Sequence, residues 1–207
     1  LGNQYYGPMT TQFKRSPLAM ALLGILHLEP MHPYAIQRRI KEWGKDKVVN
    51  VTQRAALYKT IARLQAAGLV TVRETGRDQQ YPERTVYEIT DAGRAACAAW
   101  LSDMVGNPRY EYPEFPTALS FLMLLGPEGA RVELQRRAKA LRAELAEMDT
   151  AAGQAAAMHL PRVVVLEDEY LRAVTEAELH WVDAVVTDLA SGALTWSYES
   201  LAPHRNH

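Results

Sequence analysis

The stretch from Asn50 to Thr90 constrains the chain more than any other. In Thr52-Gln53-Arg54-Ala55-Ala56-Leu57-Tyr58-Lys59-Thr60-Ile61-Ala62-Arg63-Leu64, the residues Leu57, Ile61 and Leu64 fall at i, i+4 and i+7, which predicts one buried stripe on a helix. The opposite face carries Thr52, Ala55, Lys59 and Arg63, flanked by Arg54 and Tyr58, and no Asp or Glu occurs along the helix. An acid-free face of Lys, Arg and Tyr suits a polyanion. Gly68 then predicts the positive-φ residue that ends the helix, and Leu69 to Arg73 alternates as a half-buried strand whose partner is Thr85 to Ile89. The residues between, 74–84, are expected to form a polar hairpin tip with Arg77 and Arg84 as phosphate donors. A helix followed by a basic hairpin is the pattern of a winged helix-turn-helix.

Charge is distributed unevenly enough to suggest two partners. Residues 1–106 hold 14 Lys+Arg against 9 Asp+Glu, whereas residues 107–207 hold 9 against 15. A basic front half is drawn to phosphate by counterion release, and an acidic back half is repelled by it. No apolar run reaches the ~18 residues that a membrane span requires, and the first residues lack the blocks of a signal peptide, so a cytoplasmic protein is expected. The single cysteine, Cys97, sits among alanines and reads as a small packed residue.

Taken in order, residues 1–15 read as a polar arm, with Lys14 and Arg15 available to a nucleic-acid backbone. Ser16-Pro17 predicts a helix start, and Pro17 to Leu28 is apolar on nearly all sides, more than a small three-helix unit needs. A dimer contact or docking of the back half would absorb that surplus. Pro30 and Pro33 bracket a break, with His32 expected to cap or turn. A second helix runs from Tyr34 to Trp43, with Tyr34, Ile36 and Ile40 inward and Gln37, Arg38, Arg39 and Lys41 outward. Thr90-Asp91 caps a helix reaching about Val105, with Ala96, Trp100 and Leu101 on one side.

A Tyr/Pro/Glu-rich linker from Gly106 to Pro116 marks the boundary. Phe115 to Leu125 predicts a short apolar helix. Glu128 to about His159 predicts a long amphipathic one, with Leu134, Ala138, Leu141, Leu145, Met148, Ala152 and Ala155 on a 4/3 seam and ion pairs along its solvated face. Val163 to Ala190 predicts another, with Leu166, Tyr170, Val174, Ala177, Trp181, Val185 and Leu189 on a stripe. The two seams can pack on each other or on a second subunit. The expected fold is mainly α, with a winged helix-turn-helix and its two-stranded wing in residues 1–106 and an all-helical domain in 107–207.

Pro30-Met31-His32-Pro33-Tyr34, Leu57-Tyr58, Leu64, Gly68-Leu69-Val70 and the run Pro82 to Gly93 together resemble the PadR family of bacterial transcriptional regulators. Tyr112 to Pro116, Glu169-Tyr170 and Ala177 to Trp181 resemble its longer-tailed branch. The resemblance implies a homodimer joined largely through the C-terminal helices, binding a two-fold operator on double-stranded DNA and usually repressing. It also implies a small aromatic effector that releases the DNA. The seam residues Leu134, Leu141, Leu145 and Met148 are then the candidate dimer contacts. Gln53-Arg54-Ala55-Ala56 departs from the Gly or Ser common near the start of that helix, so the operator sequence does not carry over.

Gln53, Arg54 and Lys59 are the candidate base readers, because recognition helices read from their N-terminal half. Tyr34, Tyr58, Arg63, Arg77 and Arg84 are candidate phosphate contacts. Trp100, Tyr110, Tyr112, Phe115, Phe121, Tyr170 and Trp181, with Trp196, supply enough aromatic surface to line a flat-ligand pocket. The six histidines are scattered, with no His-Glu-x-x-His run, no second cysteine and no glycine-rich phosphate loop. No catalytic residue, metal or cofactor is expected. Glu176 and His180, at i and i+4, read as a surface pair. A winged helix used for protein contact, or an activator, would share this pattern.

Overall fold

Side chains set the helix starts. In the computed structural model of the chain, Ser16 Oγ accepts from the Ala19 amide at 3.2 Å to open α1 (Pro17–Leu28), and His32 Nδ1 accepts from the Ala35 amide at 3.1 Å to open α2 (Pro33–Glu42). Each of these helices carries proline in its first turn, where the missing N–H is no loss. Residues 13–78, 81–197 and 200 are described, with the backbone alone at 75–78 and 81–84. The chain divides into two compact units, 1–110 and 111–207.

The first unit continues from α2 through Gly44, at φ +68°, and a 3-10 turn at Lys45–Lys47 to α3 (Arg54–Ala66). Gly68, at φ +70°, follows α3, and the strands β1 (Val70–Asp78) and β2 (Tyr81–Ile89) pair antiparallel from Val70↔Ile89 to Asp78↔Tyr81. The helix α4 (Asp91–Gly106) closes the unit. Leu22, Leu23 and Leu26 of α1, Ile36 and Ile40 of α2, and Leu57, Ile61 and Leu64 of α3 form one buried cluster with Val51, Val70 and Ile89. Each such side chain is worth about 1.5–3 kcal/mol relative to exposure, so this cluster dominates the stability of the unit.

Four expectations for this unit are corrected. The strands run well into the 74–84 stretch read as a hairpin tip, and register irregularities at Val72/Glu74 and Gly76/Asp78 let the ladder continue past the break in hydrophobic alternation. The surplus apolar surface of α1 is taken up inside the unit by α3, α4 and β2. In α2 the inward set is Pro33, Ile36, Gln37 and Ile40, at i, i+3, i+4 and i+7, so Gln37 is buried and Tyr34 is exposed. On α4, Leu101 is exposed. A bridge between Met31 and Tyr87, with both amides donating to the other's carbonyl at 2.9 and 3.0 Å, adds a short third edge to the wing base.

The second unit holds α5 (Glu114–Leu119), a 3-10 turn at Leu122–Leu125, α6 (Gly126–Ala157), a 3-10 turn at Arg162–Val164 and α7 (Leu166–Ser191). The apolar run 115–125 is therefore two short pieces. Asp149 near the end of α6 meets Arg172 near the start of α7, while Trp196 Nε1 donates to the Met123 carbonyl at 3.0 Å, so the two long helices are antiparallel. Ala130, Leu134, Ala138 and Leu141 bury against Val182 and Leu189. The seam of α6 is thus filled by α7 of the same chain, and Leu134 and Leu141 are buried within the protomer. Leu145 is half-buried, Met148 is buried and Ala152 is exposed.

The ion pairs of α6 are corrected as well. Arg136 pairs with Glu133 within the helix, but Arg137 reaches Glu178 and Arg142 reaches both oxygens of Asp183 on α7. On α7 the predicted stripe is mostly outward: Leu166, Tyr170, Val174 and Trp181 are exposed, and the packed positions are Val182, Val185, Val186 and Leu189.

Thr90 joins the first unit together. Its hydroxyl donates to the Gly68 carbonyl at 2.7 Å and accepts from the Gly93 amide at 3.0 Å, while its own amide donates to the Leu69 carbonyl at 3.1 Å. A Cβ on Gly93 would lie 2.0 Å from the Leu69 carbonyl oxygen. Gly93→Ala is expected to destabilise by ~2–4 kcal/mol, because backbone has to give way. Gly24→Ala, in open space within α1, is expected to stabilise by ~0.5–1 kcal/mol. Urea unfolding of the two variants checks the pair.

Candidate nucleic-acid interface

The loop that delivers α3 is held from below by a buried hydrogen bond. Gln37, only 8% exposed, donates from Nε2 to the Val51 carbonyl at 2.7 Å. Asn50 Oδ1 accepts from both the amide and the hydroxyl of Thr52, a local turn that competes with helix and delays it until Arg54. Gln53 stands at the N-cap without using its side chain as a cap, so that amide points to solvent.

Above this support, the predicted residues share one face. Gln53, Arg54, Tyr58, Lys59 and Arg63 are all exposed, while Leu57, Thr60, Ile61 and Leu64 face the core. Thr60 satisfies its buried hydroxyl by donating to the Ala56 carbonyl at 2.7 Å. Tyr34, from the first turn of α2, joins the face: its ring stacks on His32 at 6.2 Å, and the Arg54 guanidinium lies 6.0 Å from its centroid. At the far end, the Arg63 guanidinium lies 4.8 Å over Phe13, which stacks at 5.4 Å on Trp100. No carboxylate lies on α3 itself, so the face presents cations and hydrogen-bond donors to a polyanion. The side chains of Arg77 and Arg84 lie outside the described residues, as do residues 1–12 of the arm.

Other predicted residues are placed elsewhere. Arg15 is 14% exposed, pairs with Asp103 and donates to the Trp100 carbonyl at 3.3 Å, so it braces α4 and is not offered to a nucleic-acid backbone. The Asn107 amide, together with the guanidiniums of Arg15 and Arg109, holds the Asp103 carboxyl below its ordinary value. Burial pushes the Cys97 thiol up, as suits a packing residue. Of the aromatic set, Phe115 and Trp181 meet edge-on at 6.2 Å, and Phe121 lines a cavity with Phe115. Tyr110, Tyr112 and Tyr170 are exposed, and Trp100 is engaged with Phe13. Glu176 pairs with Arg172 at 2.9 Å. Among the described residues no group of His, Cys, Asp or Glu is arranged to hold a metal, and no helix is long and apolar enough to cross a membrane.

Gln37, Asn50 and His32 were not among the sequence-derived site residues. Gln37 was detectable from the Pro33/Ile36/Gln37/Ile40 spacing, but its residue type argued for solvent. The sequence marks His32 as a cap or turn residue, and its stacking on Tyr34 follows from the fold.

A three-helix unit with a β-hairpin wing and a cationic second helix of the helix-turn-helix defines a winged-helix protein. The model of the transcriptional regulator PadR-like family matches residues 22–99. The family is one of regulators, in line with the expectation that no catalysis occurs. No curated protein matches the chain in sequence. Among solved structures, Bacillus subtilis PadR in complex with operator DNA is similar at 19% identity and a TM-score of 0.69, over 83% of this chain and 98% of that one. The same protein with p-coumaric acid gives 17%, 0.68, 84% and 99%. The Vibrio cholerae virulence activator AphA gives 21%, 0.65, 84% and 98%. At these identities the likeness is one of fold.

Replacing Gln37 by Leu would leave the Val51 carbonyl buried without its donor. A loss of ~1–3 kcal/mol in thermal or urea unfolding is expected.

Proposed function

We propose that the chain acts as a homodimeric repressor that binds a two-fold DNA operator through α3 and the wing and releases it when a small aromatic molecule binds. The observation that carries the reading is the acid-free face of Gln53, Arg54, Tyr58, Lys59 and Arg63, with Tyr34 set beside Arg54. Gln53 and Arg54, at the start of α3, are the base readers, Gln suiting adenine and Arg suiting guanine, with Lys59 deeper in the same face. Tyr34, Tyr58 and Arg63, with Arg77 and Arg84 of the wing, hold phosphates and fix the register. The B. subtilis relative has been solved on operator DNA and with p-coumaric acid, which supports both halves of the proposal.

The dimer reading rests on α7. Leu166, Tyr170, Val174 and Trp181 form an exposed apolar stripe beside the one that packs on α6, and a second copy would cover it. Such a dimer would set its two α3 helices about 34–36 Å apart, one turn of DNA. A second reading, activation, is favoured by the likeness to a virulence activator. Promoter position decides between the two outcomes, because the same DNA contact serves either. The place of action is the cytoplasm, where the DNA lies.

Selection of bound sequences from random duplexes tests the proposal. A two-fold motif with half-sites one turn apart is expected, together with an affinity that falls steeply as salt rises. A protein-contact module would select no motif and show little salt dependence. Arg54→Ala is expected to weaken the selected duplex about ten- to hundredfold and to relax one base position in each half-site. Val174→Glu is expected to give monomers in sedimentation with α-helical circular dichroism retained. A chain that already sediments as a lone protomer overturns the dimer reading.

A further inference from the structure

Both arginines of α3 are carried beside an aromatic ring that another element supplies. At the far end Arg63 lies 4.8 Å over Phe13, which Trp100 backs. At the near end the Arg54 guanidinium lies 6.0 Å from the Tyr34 centroid, and Tyr34 stacks on His32 at 6.2 Å with the two planes 11° apart. These distances are within the range over which an aromatic face attracts a guanidinium or a second ring. α3 itself has no acid to hold either arginine instead.

The stack at the near end is anchored in the start of α2. His32 Nδ1 accepts from the Ala35 amide at 3.1 Å, which sets the plane of the imidazole. The buried Pro33 between the two ring-bearing residues restricts how far one can move against the other. Cap, imidazole, phenol and guanidinium therefore run in order from a fixed point of α2 to the first residue of α3. A ring steadies the charge without accepting along the N–H fork, whereas a carboxylate would occupy that fork. Arg54 steadied in this way keeps its fork for the O6 and N7 of a guanine, and loses less rotamer freedom on contact.

We propose that Tyr34 and His32 are positioning residues that aim Arg54 at its base and so set the sequence preference there, beyond the phosphate contact given to Tyr34 above. This role rests on the reading of DNA by α3 and adds to it a contribution that passes through Arg54.

The base concerned is the one whose preference Arg54→Ala relaxes in the selected duplex. Affinities of the full chain for that duplex, and for one altered at this base in a single half-site, give a discrimination ratio. Tyr34→Leu is expected to lower the ratio about two- to fivefold, while loss of a phosphate contact falls on both duplexes alike. Tyr34→Phe, which keeps the ring and removes the hydroxyl, is expected to preserve the ratio. His32→Asn keeps a cap and removes the imidazole, and is expected to lower the ratio by less. In the Arg54→Ala background none of these changes is expected to alter preference at this base. Tyr34 is 54% exposed, and unchanged circular dichroism separates the effects from misfolding. Equal loss on both duplexes in Tyr34→Leu overturns the proposal and leaves Tyr34 a phosphate contact. So does a Tyr34→Phe variant that behaves as Tyr34→Leu, a Tyr34→Leu effect that persists without Arg54, or an Arg54→Ala variant that relaxes no base. A ratio unchanged in His32→Asn overturns the part given to His32. A chain that selects no motif overturns the DNA reading and this role with it, whereas a motif indifferent to Tyr34 overturns this role alone.

Discussion

The hydroxyl of Thr90 is the point on which the first unit depends. It accepts from the Gly93 amide at the start of α4 and donates to the Gly68 carbonyl just after α3, while its backbone N–H holds the Leu69 carbonyl. Four pieces of chain meet there: the end of the cationic helix, both strands of the wing and the start of α4. Gly93 is what allows so close an approach, since any side chain at that position runs into the Leu69 backbone. The angle between the cationic helix and the wing is thereby fixed by covalent neighbours and three hydrogen bonds, independently of any ligand. A nucleic acid meeting this surface finds its donors already arranged, and little ordering entropy is lost on contact.

A second consequence of that arrangement is how few polar groups it leaves unmatched inside. Among the described residues, Gln37 and Thr60 are the buried polar side chains, and each is tied to a backbone carbonyl. Both lie under α3, one beneath its approach loop and one on its inner face. Polar bonds at these places specify where the helix begins and how it is rotated, which apolar packing alone fixes less sharply. The outward projection of Arg54, Tyr58 and Lys59 follows from that rotation.

The elements with a local signature were legible in the sequence. Ser16-Pro17, His32-Pro33, Gly44, Gly68 and Thr90-Asp91 each mark an end of a helix, and each does so through chemistry confined to a few residues. The exposed face of α3 was legible for the same reason, because Leu57, Ile61 and Leu64 leave little choice of rotation. What required the fold was any choice between two plausible partners. Both stripes of α7 are apolar, and periodicity does not say which faces α6. Arg137 and Arg142 have acidic neighbours on their own helix, yet they pair across to Glu178 and Asp183 because those carboxylates arrive from a segment some forty residues later. The Met31–Tyr87 bridge depends on strand edges distant in sequence, and two flanking prolines concealed it.

The irregular register at Val72/Glu74 divides the wing into two halves of different standing. Below it, β1 and β2 are backed by Met31 and by Val70 and Ile89 in the core; above it, the ladder runs on to Asp78↔Tyr81 through a second irregularity at Gly76/Asp78. The lower half belongs to the scaffold and the upper half is an outgrowth of it. Evolution can therefore lengthen, shorten or recharge the outgrowth by inserting residues in pairs without repacking the scaffold, so the far end of the wing can diversify separately from α3 and its exposed cations.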